Sequence, residues 1–590
     1  MDGSGQAAPV QAPPGEAPLP PAGFFRQFAD MGRAFWASPH RDRLVVLWAI
    51  LIAVVLATAW AQIRLNAWNQ PFYDALTARD LDGFLRQLGV FAVIAGVLLV
   101  LNVGQMWLNL TLKLTLRRGL VHELHTAWLA PQRAFRLSVA SPLGRNPDQR
   151  LQADAEHLTE LTTNLAIGLL QATLLLAAFV GVLWGLSAGL ALTVAGRQVE
   201  IPGFMVWCAI FYALTASLIS WRVGRPLIGI DADRYAREAD YRFELVRISE
   251  ESQGIALQGG EAAERSRLEE VFAHVVGITR RHIAAMTRLT WVTAGYGWFT
   301  LVAPILVASP FYFNGDMTIG QLMMVVGAFN QVQQSLRWYV DNFPAIADWR
   351  ATLMRVAAFR RAVLDMDRLA AGVPHLALAI TEDPAVRIEG VGVLTTRARL
   401  RLDHDPVELT PGERVLIAGP HGSGKTHLFH ALAGLWPWGE GQIRRPDHGA
   451  MMFVPTRAYV APGTLREAVC YPRPDCDFSD VQVMQALAAV GLTPLAQDLH
   501  RAARWDRLLN DREKQRLVIA RAVLHRPQWL VIDDALDQID AASRRQIEAL
   551  FDGPLQGVGL IYIGEDGGSP GFFTRRLNLR AEPLAAAPAA

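Results

Sequence analysis

The chain has 590 residues, 51% of them hydrophobic and 19% charged, and its net charge is +1. That length exceeds a single ordinary core, so two or more domains are expected, and so apolar a balance argues against a purely water-soluble enzyme. The near-zero net charge offers no field for grasping a phosphate backbone, which sets nucleic-acid binding aside.

Residues 1–22 are rich in Pro, Ala and Gly with no apolar periodicity, the composition of a disordered tail. They are acidic and proline-broken where a secretory signal would start basic. Six stretches then supply the roughly 20 apolar residues that cross about 30 Å of hydrocarbon. They lie at 44–62, 88–108, 164–186, 202–221, 290–312 and 317–340, and the first, second and third hold no charged side chain.

Loop charge sets the orientation. Arg26, Arg33, Arg41 and Arg43 precede the first stretch, Lys113, Arg117, Arg118, Arg133 and Arg136 follow the second, and Arg222, Arg225, Arg234 and Arg237 follow the fourth. The positive-inside rule therefore predicts a multi-pass protein with both termini cytoplasmic. Two cytoplasmic loops, 110–162 and 222–288, are long, polar and full of helix formers. Folded as helical hairpins with arms of about 25 residues, they would reach roughly 35 Å from the membrane, far enough to touch an attached domain; a solvated linker is the alternative.

A membrane domain over 23–374 is followed by a polar stretch, 375–384, expected to be a linker. From 385 to 590, short apolar runs alternate with turn signals, which is α/β texture. Within it, RVLIAGPHGSGKTHLFHALAGLW is a strand, a glycine-rich turn and a helix in succession. Gly419, Pro420, His421, Gly422, Ser423, Gly424, Lys425 and Thr426 make a complete P-loop: the glycines let backbone N–H groups wrap phosphates at a helix N-terminus, Lys425 reaches the terminal phosphates, and Thr426 ligates Mg²⁺. Lys425 is one of only three lysines in an arginine-rich chain, with Lys113 and Lys514, as though a point charge were wanted there. The apolar run WLVIDD at 529–534 is the companion strand, and its Asp533 is the second candidate Mg²⁺ residue. ATP and Mg²⁺ are the expected cofactors.

With these motifs in view, the chain resembles the ABC transporter superfamily, in particular its SbmA/BacA-like and peroxisomal fatty-acyl-transporter-like half-transporters. The resemblance rests on NAWNQPFYDAL (66–76), NPDQR (146–150) and GGEAAERSRLEEVF (259–272) in the membrane half. In the other half it rests on the P-loop run, PGTLREAVCYP and QRLVIARAVLHRPQWLVID. It implies an all-α six-helix transmembrane domain of exporter type fused to an α/β P-loop NTPase domain in a bacterial inner membrane. It also implies a dimer with a second half-transporter subunit, a homodimer before a heterodimer, in which one subunit's signature motif completes the other's P-loop. The solutes implied are peptide-like, cobalamin-like or acyl compounds.

Several positions depart from the family pattern. The signature reads LNDREKQR, with Asn510 in place of Ser and Arg512 in place of Gly. Arg512 would crowd the approach of a phosphate that glycine permits, or contact it as an arginine finger. Asp534 replaces the glutamate after the Mg²⁺ aspartate and is the candidate catalytic carboxylate, one methylene short. Glu565 stands for the switch histidine and Thr456 for a loop glutamine, and no aromatic residue lies between Ala385 and Leu402 to stack on adenine. The expectation is a nucleotide site that binds well and hydrolyses poorly. Two further readings stay open: a proton-driven carrier with a regulatory ATP domain, and the degenerate half of a heterodimer.

Overall fold

The computed structural model describes residues 32, 41–140, 147–187, 191–194, 197–366, 375–395, 398–420, 422–447, 449–473, 478–534, 541–565 and 571–583. The tail expected at 1–22 lies outside them. The chain divides into two compact units, one holding Gly23–Glu123 with Asp148–Ala357, the other Leu124–Pro147 with Ala358–Ala590.

In the first unit the apolar stretches are parts of long helices. These are α1 (Arg41–Thr77), α2 (Leu81–Trp128), which runs on into the second unit, α4 (Ala155–Leu186), α5 (Phe204–Glu250) and α7 (Glu261–Phe313); the intervening α3 (Arg133–Ala140) and α6 (Ser252–Gln258) are short. Among the described residues five helices are long and apolar enough to cross a membrane. The sixth expected span falls on α8 (Ile319–Asp341), a 23-residue helix that is followed by α9 (Phe343–Asp365). Its second half, with Asn330, Gln331, Gln333, Gln334 and Arg337, is too polar to qualify. The one departure from helix among the described residues of this domain is a short hairpin, in which β1 (Ala191–Val194) and β2 (Arg197–Glu200) pair antiparallel between α4 and α5. The long loops are helical, as anticipated: α2, α5 and α7 continue unbroken past their apolar segments, and a helix of 47 residues such as α5 is about 70 Å long.

Helix contacts here use small and polar residues, as they must where lipid gives apolar side chains no reason to prefer one another. A Cβ on Gly320 of α8 would lie 2.3 Å from the carbonyl oxygen of Gln70, and one on Gly327 would lie 2.2 Å from Asn66 Oδ1. The backbones of α1 and α8 are therefore close, and their approach is held by the Gly320 N–H donating to Asp74 Oδ1 (3.0 Å) and Asn66 Nδ2 donating to the Met324 carbonyl (3.2 Å). Between α2 and α4 runs a polar ladder: Gln105 Nε2 donates to Gln171 Oε1 (3.1 Å), Asn109 Nδ2 to Asn164 Oδ1 (3.3 Å), and Lys113 and Arg117 pair with Glu160 and Glu156 at 2.9 and 3.1 Å.

The second unit is built on a ten-stranded sheet, counted among the described residues. It contains β3 (Ala377–Ile380), β4 (Val386–Leu394), β5 (Ala398–Leu402), β6 (Val407–Leu409), β7 (Arg414–Ala418), β8 (Gly439–Arg445), β9 (Met451–Val454), β10 (Trp529–Asp533), β11 (Gly559–Gly564) and β12 (Arg575–Pro583). The stretch 375–384, expected as a linker, contains β3, which pairs parallel with β8. Its alternating ALAI was too short a pattern to stand out in the sequence.

At the centre, β9, β10, β11, β7 and β12 run parallel in that order. Such strands are buried on both faces, hence their nearly continuous apolar runs. The two-residue period is nonetheless visible in how they pack. Val415, Ile417, Val531, Ile561 and Ile563 face one core with Leu428, Phe429 and Leu432 of α10 (Lys425–Leu432), while Leu416, Leu530, Ile532, Leu560 and Tyr562 face the other with Leu517, Val518 and Ile519 of α14 (Asp511–His525). The helices between these two are α11 (Leu465–Cys470), α12 (Asp480–Ala489) and α13 (Trp505–Leu508).

Candidate nucleotide site

Parallel neighbours end on the same side of a sheet, and ligands of such sheets bind beyond the carboxyl ends of the strands. The P-loop follows β7, Thr456 follows β9 by two residues, Asp533 closes β10 with Asp534 next, and Glu565 follows β11. Register alone thus gathers residues separated by up to 146 positions in the chain.

The P-loop has the conformation that its glycines allow. Gly422 and Gly424 have φ of 78° and 89°, values that L side chains avoid, and Gly424 caps α10 in the left-handed region. A Cβ on Gly419 would lie 2.7 Å from Ser423 Oγ, and one on Gly424 would lie 2.7 Å from Leu400 Cδ1, so the loop is backed tightly by β5. His421 lies outside the described residues. Lys425 is the first residue of α10 and only 5% exposed; its Nζ stands 3.3 Å from Asp534 Oδ1 and 3.8 Å from Glu565 Oε1.

Asp533 is 1% exposed, and burial pushes its carboxyl up to about 6. Asp534 beside it acts in the same direction, while the Thr426 and Thr456 hydroxyls and the Lys425 ammonium oppose the rise. Thr456 Oγ1 donates to the Asp533 carbonyl (3.0 Å) and to its Oδ2 (3.3 Å). Oδ1 of Asp533 is buried without a hydrogen-bond partner among the described residues. A hydroxyl and a carboxylate with a spare oxygen form a donor set that suits a hard divalent cation such as Mg²⁺. Asp534 adopts φ of 46° and donates its N–H to the Ile563 carbonyl at 2.8 Å.

The altered signature segment begins α14. Asn510 caps this helix: its Oδ1 accepts from the Glu513 N–H (2.9 Å), and Glu513 Oε2 accepts from the Asn510 N–H (3.0 Å). This reciprocal pair is a capping box, a role in which Asn serves as well as Ser. Arg512 is exposed. Buried Gln515 on the same helix donates to the carbonyls of Pro455 and Thr456, tying the signature helix to the segment that holds Asp533.

The sequence did not point to a second set of contacts. Residues 124–147 belong to the same unit as the sheet. There Arg136 Nη2 donates to the Gly434 carbonyl (2.8 Å), Gln132 Nε2 to that of Ala433 (3.3 Å), and Phe135 meets the ring of His430 edge-on at 5.0 Å. Part of the first long loop therefore rests on the end of the P-loop helix. The arginine-rich, helix-forming character of 110–162 was the only available signal.

A P-loop NTPase sheet of this kind, joined to a unit of long apolar helices, defines a class of membrane transporter that carries an ATP-binding domain. The comparisons with known proteins agree: residues 34–313 match the ABC transporter transmembrane region 2 family, and residues 402–537 match the ABC transporter family. The chain is an ABC transporter with an N-terminal transmembrane region and a C-terminal ATP-binding domain. Over 90% of its length it is 26% identical to 93% of the inner membrane ABC transporter ATP-binding protein YddA of Escherichia coli. It is 24% identical, across 91% of its length and 83% of the relative, to ABC transporter D family member 2, chloroplastic, of Arabidopsis thaliana. The mouse lysosomal cobalamin transporter ABCD4 is also 24% identical, with 90% of each chain covered.

Proposed function

We propose that this ABC transporter moves a peptide-like, cobalamin-like or acyl solute across a bacterial inner membrane as a homodimer with cytoplasmic termini, binding ATP and Mg²⁺ at its P-loop and hydrolysing ATP slowly. The observation that carries this reading is the convergence of Lys425, Thr426 and Asp533 at one strand edge, with Asp534 and Glu565 turned toward the Lys425 ammonium. The P-loop is intact in the residues that hold phosphates. Asp534, the candidate catalytic carboxylate, is engaged with Lys425 and shorter than the family glutamate, and a misplacement of about 1 Å lowers a rate by roughly 10²-fold. Thr426 and Asp533 would hold Mg²⁺, and the ion would supply the charge that the buried carboxylate calls for. The E. coli relative is named for the inner membrane and the mouse relative for cobalamin, which supports the location and a polar solute class.

The test is a paired measurement of nucleotide binding and ATP hydrolysis on the purified protein, followed by solute uptake into proteoliposomes. Binding without rapid turnover, and transport abolished in Lys425→Ala, is the expected outcome. Uptake that survives Lys425→Ala and collapses with a protonophore would replace this reading with a proton-driven carrier.

A second reading, the degenerate subunit of a heterodimer, is favoured by Arg512, exposed as the second residue of a signature helix where glycine is the rule. Purification of an active homodimer would exclude it.

A further inference from the structure

Lys425 is almost wholly buried, so its ammonium has no access to bulk water and must be neutralised within the site. It is met by two carboxylates, Asp534 Oδ1 at 3.3 Å and Glu565 Oε1 at 3.8 Å, with the buried Asp533 immediately before Asp534 at the end of β10. A P-loop holds the first phosphates of a nucleotide through backbone N–H groups and uses its lysine for the terminal ones. The two carboxylates thus stand where the lysine would receive a terminal phosphate, and they directly follow β10 and β11, of which β11 pairs with β7 and β10 with β11 in parallel register.

We propose that Asp534 and Glu565 make this P-loop select a nucleoside diphosphate over a triphosphate, by keeping negative charge on the side of Lys425 that a third phosphate would occupy. The inference rests on the reading of this site as a nucleotide site. A diphosphate brings its last phosphate to the lysine and carries no further group toward Asp534 and Glu565. A third phosphate must share the ammonium with Asp534 and Glu565 and sit beside them, like charges only a few ångströms apart, with Asp534 the less exposed of the two. A cation at Thr426 and Asp533 offsets charge for both ligands, so the difference between them falls on Asp534 and Glu565. Asp534 is anchored in place, its N–H bound to the Ile563 carbonyl. Glu565 is the better target for substitution, because its side chain is 54% exposed and its loss leaves no buried hole.

The test is equilibrium binding of MgADP and MgATP to the full-length protein in nanodiscs, for the wild type, Glu565→Gln, Asp534→Asn and the double variant, with thermal melting to establish folding. The wild type is expected to bind ADP several-fold more tightly than ATP. Glu565→Gln should strengthen ATP binding by about tenfold while changing ADP affinity less than about twofold, and the double variant should add to this. Equal gains for both nucleotides, or a wild type that prefers ATP with a ratio Glu565→Gln does not move, would overturn the selectivity while leaving the nucleotide site itself intact. Absence of binding by either nucleotide would overturn the selectivity and the nucleotide-site reading together.

Discussion

The hydroxyl of Thr456 donates to both the main-chain carbonyl and the carboxylate of Asp533, at 3.0 and 3.3 Å. Where the family pattern has a long amide reaching toward the nucleotide, this chain has a short side chain turned back onto the candidate Mg²⁺ residue. Hydrogen bonds to ionised groups are worth about 1.5–3 kcal/mol. Thr456→Val should therefore weaken Mg²⁺-dependent ADP binding by roughly tenfold, with little change in Mg²⁺-independent binding. Titrating Mg²⁺ at fixed nucleotide checks this, and an unchanged Mg²⁺ midpoint would show that the contact is merely structural.

His427 and His430 lie on the P-loop helix, against Trp436 (4.6 Å) and Phe135 (5.0 Å). Burial lowers both below the ordinary value of 6.5, and with His427 nearby His430 falls to about 4. The folded state therefore resists protonation more than the unfolded chain does. Its stability is complete above about pH 6.5 and is lost as pH falls toward 4, by an amount on the order of 2 kcal/mol for His430 after allowance for its partial exposure. Melting temperatures of the wild type should drop across that window, and those of His430→Phe should drop less. Parallel curves would count against the assignment.

The Asn510–Glu513 capping box and the exposed Arg512 separate stability from chemistry within one motif. Asn510→Ala should cost about 1 kcal/mol, seen as a lower melting temperature. Arg512→Gly should change stability by less than about 1 kcal/mol and, if the guanidinium crowds the phosphate, raise the ATPase rate. A fall in that rate would instead mark Arg512 as a direct phosphate contact.

Gly320 and Gly327 sit where α8 passes α1, and a side chain at Gly320 would strike the Gln70 backbone, which cannot rotate away. Gly320→Val is expected to destabilise the helical unit by about 1–3 kcal/mol. Gly327→Val, which meets the movable amide of Asn66, should cost less. Melting in detergent distinguishes the two, and equal losses would contradict the contact geometry.

Much of this architecture is legible in local pattern. Uncharged apolar runs long enough to span hydrocarbon stand out whatever surrounds them, as does the P-loop, since a close phosphate cradle needs glycines at fixed spacing. Departures such as Asp534, Glu565 and Arg512 are equally visible, because they are read against a motif. Less visible were β3, four residues long, and the small β1–β2 hairpin. The sixth expected span is the least marked of the six, because amides follow its apolar first half. Nothing local assigns residues 124–147 to the ATP-binding unit, for Arg136 finds its acceptor at Gly434, nearly 300 positions away.

The P-loop itself illustrates the division. Its chemistry is written in Gly419, Gly422, Gly424, Lys425 and Thr426, since backbone freedom, a point charge and a hydroxyl are properties of those residues wherever the chain takes them. Which groups face the Lys425 ammonium is a different matter. Asp534 and Glu565 are 109 and 140 positions away and reach it only because β11 lies parallel beside β7 and β10 beside β11, a pairing decided by burial of the whole sheet. Composition and motif specify a membrane protein that handles nucleotide, whereas long-range strand pairing decides which charges that nucleotide meets.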